Sequence, residues 1–275
     1  MTSPFLTSGP TIINASGGRS SMLMVRRALD AHGGRLPADT HVVYCNTGRE
    51  RAETLNFVRE VAERWDVAIR WIERDPQEEV RARFREVTHA TAARNGEPFA
   101  SLIEAHRFLP NSLMRFCTRE LKIWPSRDFM HARGYDHWTS VVGLRRDEAP
   151  RVLKLRARDE PLWDVACPLY DAGVTKTDVT AFWRTQPFGL ALASWEGNCD
   201  LCFLKARGHR LRIMRDRPDL AAWWIDREAE RKATFCKNEP SFAANLLATV
   251  RLPMLPMDLD PDAGEGGCTG GACTD

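Results

Sequence analysis

Apolar and polar positions alternate between two periods along the first half of the chain. Thr11-Ile12-Ile13-Asn14-Ala15 is a short β-prone run that breaks at Ser16-Gly17-Gly18, and apolar residues then return at helical spacing through Met22, Leu23, Val25, Ala28 and Leu29. The pattern predicts a strand over 11–15 and a helix over 20–32, with Gly33-Gly34 as its stop signal. His41 to Cys45 reads as a buried strand ending at the turn Asn46-Thr47-Gly48. Glu53 to Trp65 carries one apolar stripe (Leu55, Val58, Val61, Ala62, Trp65), and Val67 to Ile72 reads as a third strand. Residues 76–135 read as mostly helical, interrupted at Gly96, Pro98, Pro110 and Pro125. A fourth strand follows over His137–Leu144. After it come a basic linker, a Pro168-Leu169-Tyr170 segment, a helix over 177–184, a short strand over 189–195, and helical pattern at 203–216 and 218–232. Strands alternating with helices predict an α/β fold: an open, mostly parallel twisted sheet with helices on both faces. The division expected is 1–195 as the sheet domain, 196–252 as a helical region packed on it, and 253–275, rich in proline, glycine and acid, as a mobile tail. There are no internal repeats.

Composition narrows this picture. The 275 residues are 43% hydrophobic, enough for one large domain or a domain with an appendage. A formal charge of +2 makes no global demand for nucleic acid, although Arg145–Arg158 and Lys205–Arg217 are locally basic. The start of the chain has no signal-peptide pattern, and no run of about 18 apolar residues would span a bilayer. A cytoplasmic protein without membrane contact is expected. Its eight cysteines then read as buried thiols, metal ligands or redox groups rather than disulfides.

Three polar loops fall at the carboxyl ends of predicted parallel strands, where ligands bind in open α/β sheets: Ser16–Ser21, Asn46–Glu50 and Gly143–Arg151. In the first, Gly17 and Gly18 allow close backbone approach, the following helix points its free N–H groups at the turn, and Ser16, Ser20, Ser21 and Arg19 add donors. That chemistry holds phosphate or sulfate. A valine at Gly17 is expected to block the anion and leave the fold intact. Cys199-Asp200-Leu201-Cys202 is a lone C-x2-C pair, which suits a metal, a cluster, a redox dithiol or simple packing. Cys117 stands among cations that favour thiolate. Cys45 and Cys167 read as core residues, and Cys236 as ambiguous.

Taken together, these motifs resemble the phosphoadenosine phosphosulfate (PAPS) reductase family, within the PP-loop or adenine nucleotide α-hydrolase group. The carrying segments are Ser16-Gly17-Gly18-Arg19-Ser20-Ser21; Asn46-Thr47-Gly48-Arg49-Glu50; Cys117-Thr118 with Leu121-Lys122 and Pro125; and Gly143-Leu144-Arg145-Arg146-Asp147-Glu148 with Arg151. The resemblance implies that Ser16 to Ser21 hold the terminal phosphate or sulfate of PAPS, adenylyl sulfate (APS) or ATP. It implies that Asn46, Thr47, Gly48 and Gly143 line the pocket and that Arg119, Lys122, Arg145 and Arg151 neutralise its oxygens. Relatives that reduce adenylyl sulfate carry a [4Fe–4S] cluster on a Cys-Cys pair and a later Cys-x2-Cys. Here Cys117, Cys199 and Cys202 match three of those ligands, Thr118 replaces the fourth, and Cys117 and Cys199 stand 82 positions apart. Ser20 replaces an aspartate of the family loop, which weakens a Mg²⁺–ATP reading while leaving Mg²⁺ open, and Arg19 replaces a lysine. The family's carboxy-terminal cysteine motif is absent, so Cys268 and Cys273 become the candidate nucleophiles. Sulfonucleotide reduction with an external thiol donor such as a thioredoxin-like protein is the leading expectation. The alternatives are an ATP-dependent iron–sulfur sulfurtransferase acting on nucleic acid or a small molecule, and a non-catalytic nucleotide- or nucleic-acid-binding module. A homo-oligomer is left open.

Overall fold

The computed structural model describes residues 3–75, 77, 83–158, 160–197 and 199–251, so the expected tail with Cys268 and Cys273 lies outside the described residues. In chain order the elements begin β1 (Thr11–Asn14), α1 (Arg19–Ala31), β2 (Thr40–Cys45), α2 (Ala52–Arg64), β3 (Ile69–Arg74), β4 (Phe84–Val87) and α3 (Glu97–His106). Next come α4 (Phe116–Thr118), a π-helical turn (Arg119–Ile123), α5 (Trp124–His131), β5 (Trp138–Val142), α6 (Ala149–Arg156), β6 (Trp163–Ala166), α7 (Pro168–Asp171) and α8 (Lys176–Arg184). Helices α9 (Arg207–Asp216), α10 (Ala221–Arg231) and α11 (Phe242–Arg251) close the described chain.

The sheet has six strands in the order β4-β3-β2-β1-β5-β6. All neighbours pair in parallel except β3 and β4. Strand β1 sits in the middle, with Ile13 opposite Val42 of β2 and Val141 of β5. Because successive side chains alternate faces, Ile13 joins a core with α1, α2 and α8, while Ile12 joins a second core with Phe129 and Met130 of α5. Burial on both faces explains the near-continuous apolar runs of β1 and β2.

Four features depart from the sequence reading. Strand β4 replaces expected helix. Strand β6 and helix α6 occupy the stretch read as a basic linker. Residues 189–195 contain no strand, and α11 follows the last predicted helix. Helices α9–α11 pack into a third core that also takes Phe99, Leu102 and Ile103 of α3, with Phe116 and Leu121, so this unit is built from both sides of residue 195. Among the described residues no helix is long and apolar enough to cross a membrane.

Candidate functional site

Strand order reverses between β1 and β5, which makes their carboxyl ends the topological switch point where open α/β sheets bind ligands. The first loop lies there. Gly17 takes φ +81°, and Gly18 is the extended N-cap of α1, so the loop leads directly into the amino end of that helix, where the helix dipole favours an anion. Ser21 organises the loop: its Oγ accepts from Ser16 N at 3.1 Å and donates to the Gly18 carbonyl at 3.0 Å. Arg145, 5% exposed, comes from the end of β5 and donates to Ser20 Oγ at 2.9 Å. Gly143 permits this approach, since a Cβ there would lie 3.0 Å from Ser21 Cα.

An open cleft runs from this loop along one face of the sheet. Its floor is the alternating set Ile12, Asn14, Val43, Cys45, Ser140, Val142 and Val165, with Trp138 and Trp163 also in its lining. Lys122, Ser126 and Arg127 form one wall, and Leu155, Arg158 and Glu160 line the rest. Asn14 Nδ2 ties β1 to β5 at the switch point through Ser140 Oγ, at 3.0 Å. Pro125 explains the first wall. It has no N–H to give to Leu121, and its ring crowds that carbonyl, so the preceding turn widens into a π turn. Lys122, on that turn, is 8% exposed and lines the cleft.

The second loop has a different role. Asn46 is fully buried and donates to Glu73 Oε1 at 2.6 Å and to the Ala93 carbonyl at 2.9 Å. Thr47 donates through its amide and hydroxyl to Glu50, at 2.8–2.9 Å. Neither these side chains nor Gly48 line the cleft. The loop instead grips the C-terminal unit. Glu50 pairs with Cys199 as a β-bridge, Thr47 Oγ1 lies 3.4 Å from Cys199 Sγ, Arg49 pairs with Asp200, and Arg51 pairs with Glu196 at 3.1 Å. Burial pushes the Glu50 carboxyl and the Cys199 thiol up, and the Lys122 cation opposes both shifts.

The remaining sequence candidates fall in distinct places. Arg19 turns its guanidinium to the carbonyls of Leu190 and Leu192, at 2.6 and 2.7 Å. Arg119 pairs with Glu120 at 2.8 Å and lies over Trp124, outside the cleft lining. Arg151 pairs with Glu148. Cys117, Cys202 and Cys236 border the apolar cluster that holds Cys199. Soft sulfur donors in an apolar shell fit the chemistry of an iron–sulfur group. Among the described residues, no three His, Cys, Asp or Glu side chains converge as ligands of one ion. Valine at Gly17 would strain the packing as well as block the loop, because even a Cβ would lie 2.6 Å from Thr54 Cγ2.

Sequence reasoning missed Arg127, Arg158, Ser140 and Cys45 as cleft residues. Alternation along β2 and β5 could have placed Cys45 and Ser140 on one face with Ile12, and Arg158 ends the basic run already noted, but nothing local marks Arg127.

A 28% identical relative, the uncharacterized nin region protein ORF290 of Escherichia phage lambda, aligns over 201 residues, 71% of this chain and 66% of that protein, so the match spans slightly less than two thirds of the relative's length. The model of the phosphoadenosine phosphosulfate reductase domain matches residues 10–186, from the strand before the glycine loop to the end of the helix that buttresses it. With that span covering the sheet and all the loops at its switch point, the chain belongs to the phosphoadenosine phosphosulfate reductase domain family.

Proposed function

We propose that the chain is a nucleotide-using enzyme of sulfur chemistry, binding an adenine nucleotide in the cleft and reducing a sulfonucleotide. The observation that carries this reading is the continuity of the cleft with the Ser16–Ser21 loop at the switch point, with Lys122 buried in its wall. The amides at the start of α1 and the hydroxyls of Ser16 and Ser20 take the terminal phosphate or sulfate. Lys122 and Arg145 offset its charge, and the apolar cleft face receives the rest of the nucleotide. A thiolate attacks the sulfur. The bond from sulfur to the phosphate oxygen breaks, the nucleotide leaves with that oxygen, and the thiol becomes an S-sulfonate. A dithiol donor then displaces sulfite and is oxidised to a disulfide as the enzyme thiol is regenerated. Cys268 and Cys273 are the nucleophiles of this proposal. Cys117, Cys199 and Cys202 would hold an iron–sulfur cluster, which when bound would aid charge placement rather than carry electrons.

The gathering of four cysteines around one apolar core favours a second reading, an ATP-dependent sulfurtransferase. One experiment separates the two. Anaerobically purified protein is titrated with APS, PAPS and ATP, then assayed for sulfite and for pyrophosphate. Sulfite from a sulfonucleotide supports reduction, and pyrophosphate from ATP with an acceptor supports transfer. Binding without either product supports a non-catalytic module. Failure of all three nucleotides to bind refutes the cleft as their site.

A further inference from the structure

Arg19 stands where the family loop carries a lysine, and its two ends serve different partners. Its backbone begins α1 at the anion loop, while its guanidinium reaches the carbonyls of Leu190 and Leu192 at 2.6 and 2.7 Å. Trp183 Nε1 donates to the Arg19 carbonyl at 2.9 Å, so the segment after α8 is tied to this residue twice. Leu190 and Leu192 are buried, yet residues 189–195 form no strand. Arg19 supplies donors that a neighbouring strand would otherwise give to these carbonyls.

The same segment is anchored a second time. Glu196 Oε2 accepts from Ala193 N at 2.9 Å, and its Oε1 pairs with Arg51 Nη1 at 3.1 Å. Just beyond it, Asp200 N donates to the Arg49 carbonyl at 2.8 Å and Cys199 bridges to Glu50. A strap of residues 190–197 therefore runs from the first loop toward the second, where Cys199 and Asp200 are held.

We infer that this strap is a latch between nucleotide and thiols, with Arg19 and Arg51 as its positioning residues. The inference rests on reading Ser16–Ser21 as the nucleotide's anion loop. An anion held by the first amides of α1 fixes the backbone of Arg19, and a fixed Arg19 holds Leu190 and Leu192. Filling the first loop thereby tightens the hold of the Cys199 turn on the second. Coupling of this kind is reciprocal: loosening the strap weakens the nucleotide by the same factor that the nucleotide tightens the strap, typically about 5- to 150-fold.

Hydrogen exchange read by mass spectrometry tests this on the full-length protein, with and without saturating ADP. In wild type, ADP is expected to slow exchange of amides 189–197 at least about five-fold. In Arg19→Ala, saturated with ADP, that protection is lost and the affinity for ADP is reduced by a matching factor. Glu196→Ala removes both acceptor oxygens of the far anchor without touching the anion loop. It should likewise lose ADP-linked protection, which keeps the test open if Arg19→Ala does not fold. An arginine that merely touched the phosphate would weaken binding but leave the strap protected once ADP saturates. Equal exchange with and without bound ADP in wild type, or full ADP-linked protection in either variant, overturns the latch. Absence of ADP binding to wild type removes the nucleotide reading itself, and the latch with it.

Discussion

At the scale of single residues, Gly17 shows two demands meeting on one atom. Its φ of +81° suits glycine, and a Cβ would lie 2.6 Å from Thr54 Cγ2 and 3.2 Å from Tyr44 Cε2. Gly17→Ala should therefore lose about 1–3 kcal/mol of stability, read as a lower thermal midpoint, whatever it does to ligand. An unchanged midpoint would mean that the loop relaxes freely. Lys122→Met is the better probe of binding, since it keeps the buried stem and removes the cation. It should cost nucleotide affinity about 1.5–3 kcal/mol by calorimetry, the range for a hydrogen bond to a charged group. Cys167 gives a prediction in pH. It is fully buried, and burial pushes its thiol from 9.0 up to about 11. Between those values the unfolded chain has released a proton that the folded chain keeps, so stability falls as pH rises through this window. The loss is about 2–3 kcal/mol, at 1.36 kcal/mol per unit. Cys167→Ala should flatten the alkaline limb of the unfolding curve. The loop chemistry of Ser16–Ser21 was legible because it is local in sequence. The inward turn of Asn46 and the outward reach of Arg19 were not, because partners more than 25 positions away decide them.

Among the elements, the helical run 116–131 carries its function in a defect. The π turn Arg119–Ile123 offsets Lys122 from the register that an unbroken α-helix would impose. Pro125→Ala restores an N–H and removes the crowded ring. The turn should relax to α, leaving stability equal or higher while nucleotide affinity falls, because Lys122 rotates away from the cleft. A variant that binds normally would show that the π turn is set by packing alone. Proline and the flanking motif were visible in sequence, but a widened turn has no periodic signature of its own. The same holds for the elements that sequence missed. Strand β4 has two charged, exposed residues, Arg85 and Glu86, in four, and is an edge strand, so it lacks the apolar alternation that marked β1 and β2. Strand β6 is also an edge, with Asp164 exposed, and its pairing to β5 is fixed by register rather than pattern. The central strands, buried on both faces, were read within about two residues of their observed ends.

For the whole molecule, the question is whether the family-matched span, residues 10–186, is a folding unit. Apart from Leu190 and Leu192, the buried members of the sheet's two cores lie within it, but Phe99, Leu102, Ile103, Phe116 and Leu121 are buried chiefly in the cluster with Leu201, Phe203, Met214, Trp224 and Phe242. Uncovering those five side chains costs about 1.5–3 kcal/mol each by the usual scale for full burial. The sum is comparable to the roughly 5–15 kcal/mol that holds a whole domain folded. The polar ties point the same way, since Arg49 and Arg51 lose Asp200 and Glu196. The boundary near residue 195 that sequence suggested thus separates stretches of chain rather than stable bodies: α3 and the Cys117 segment belong energetically to the helices that follow. A chain ending at residue 195 should express as aggregate or as a species with secondary structure but without near-ultraviolet circular dichroism. Supplying residues 196–251 in trans should restore the signal, because the lost contacts lie at one continuous cluster. Cooperative unfolding of the 1–195 fragment by itself, with native near-ultraviolet bands, would show instead that the sheet is autonomous and that the helical unit is an appendage.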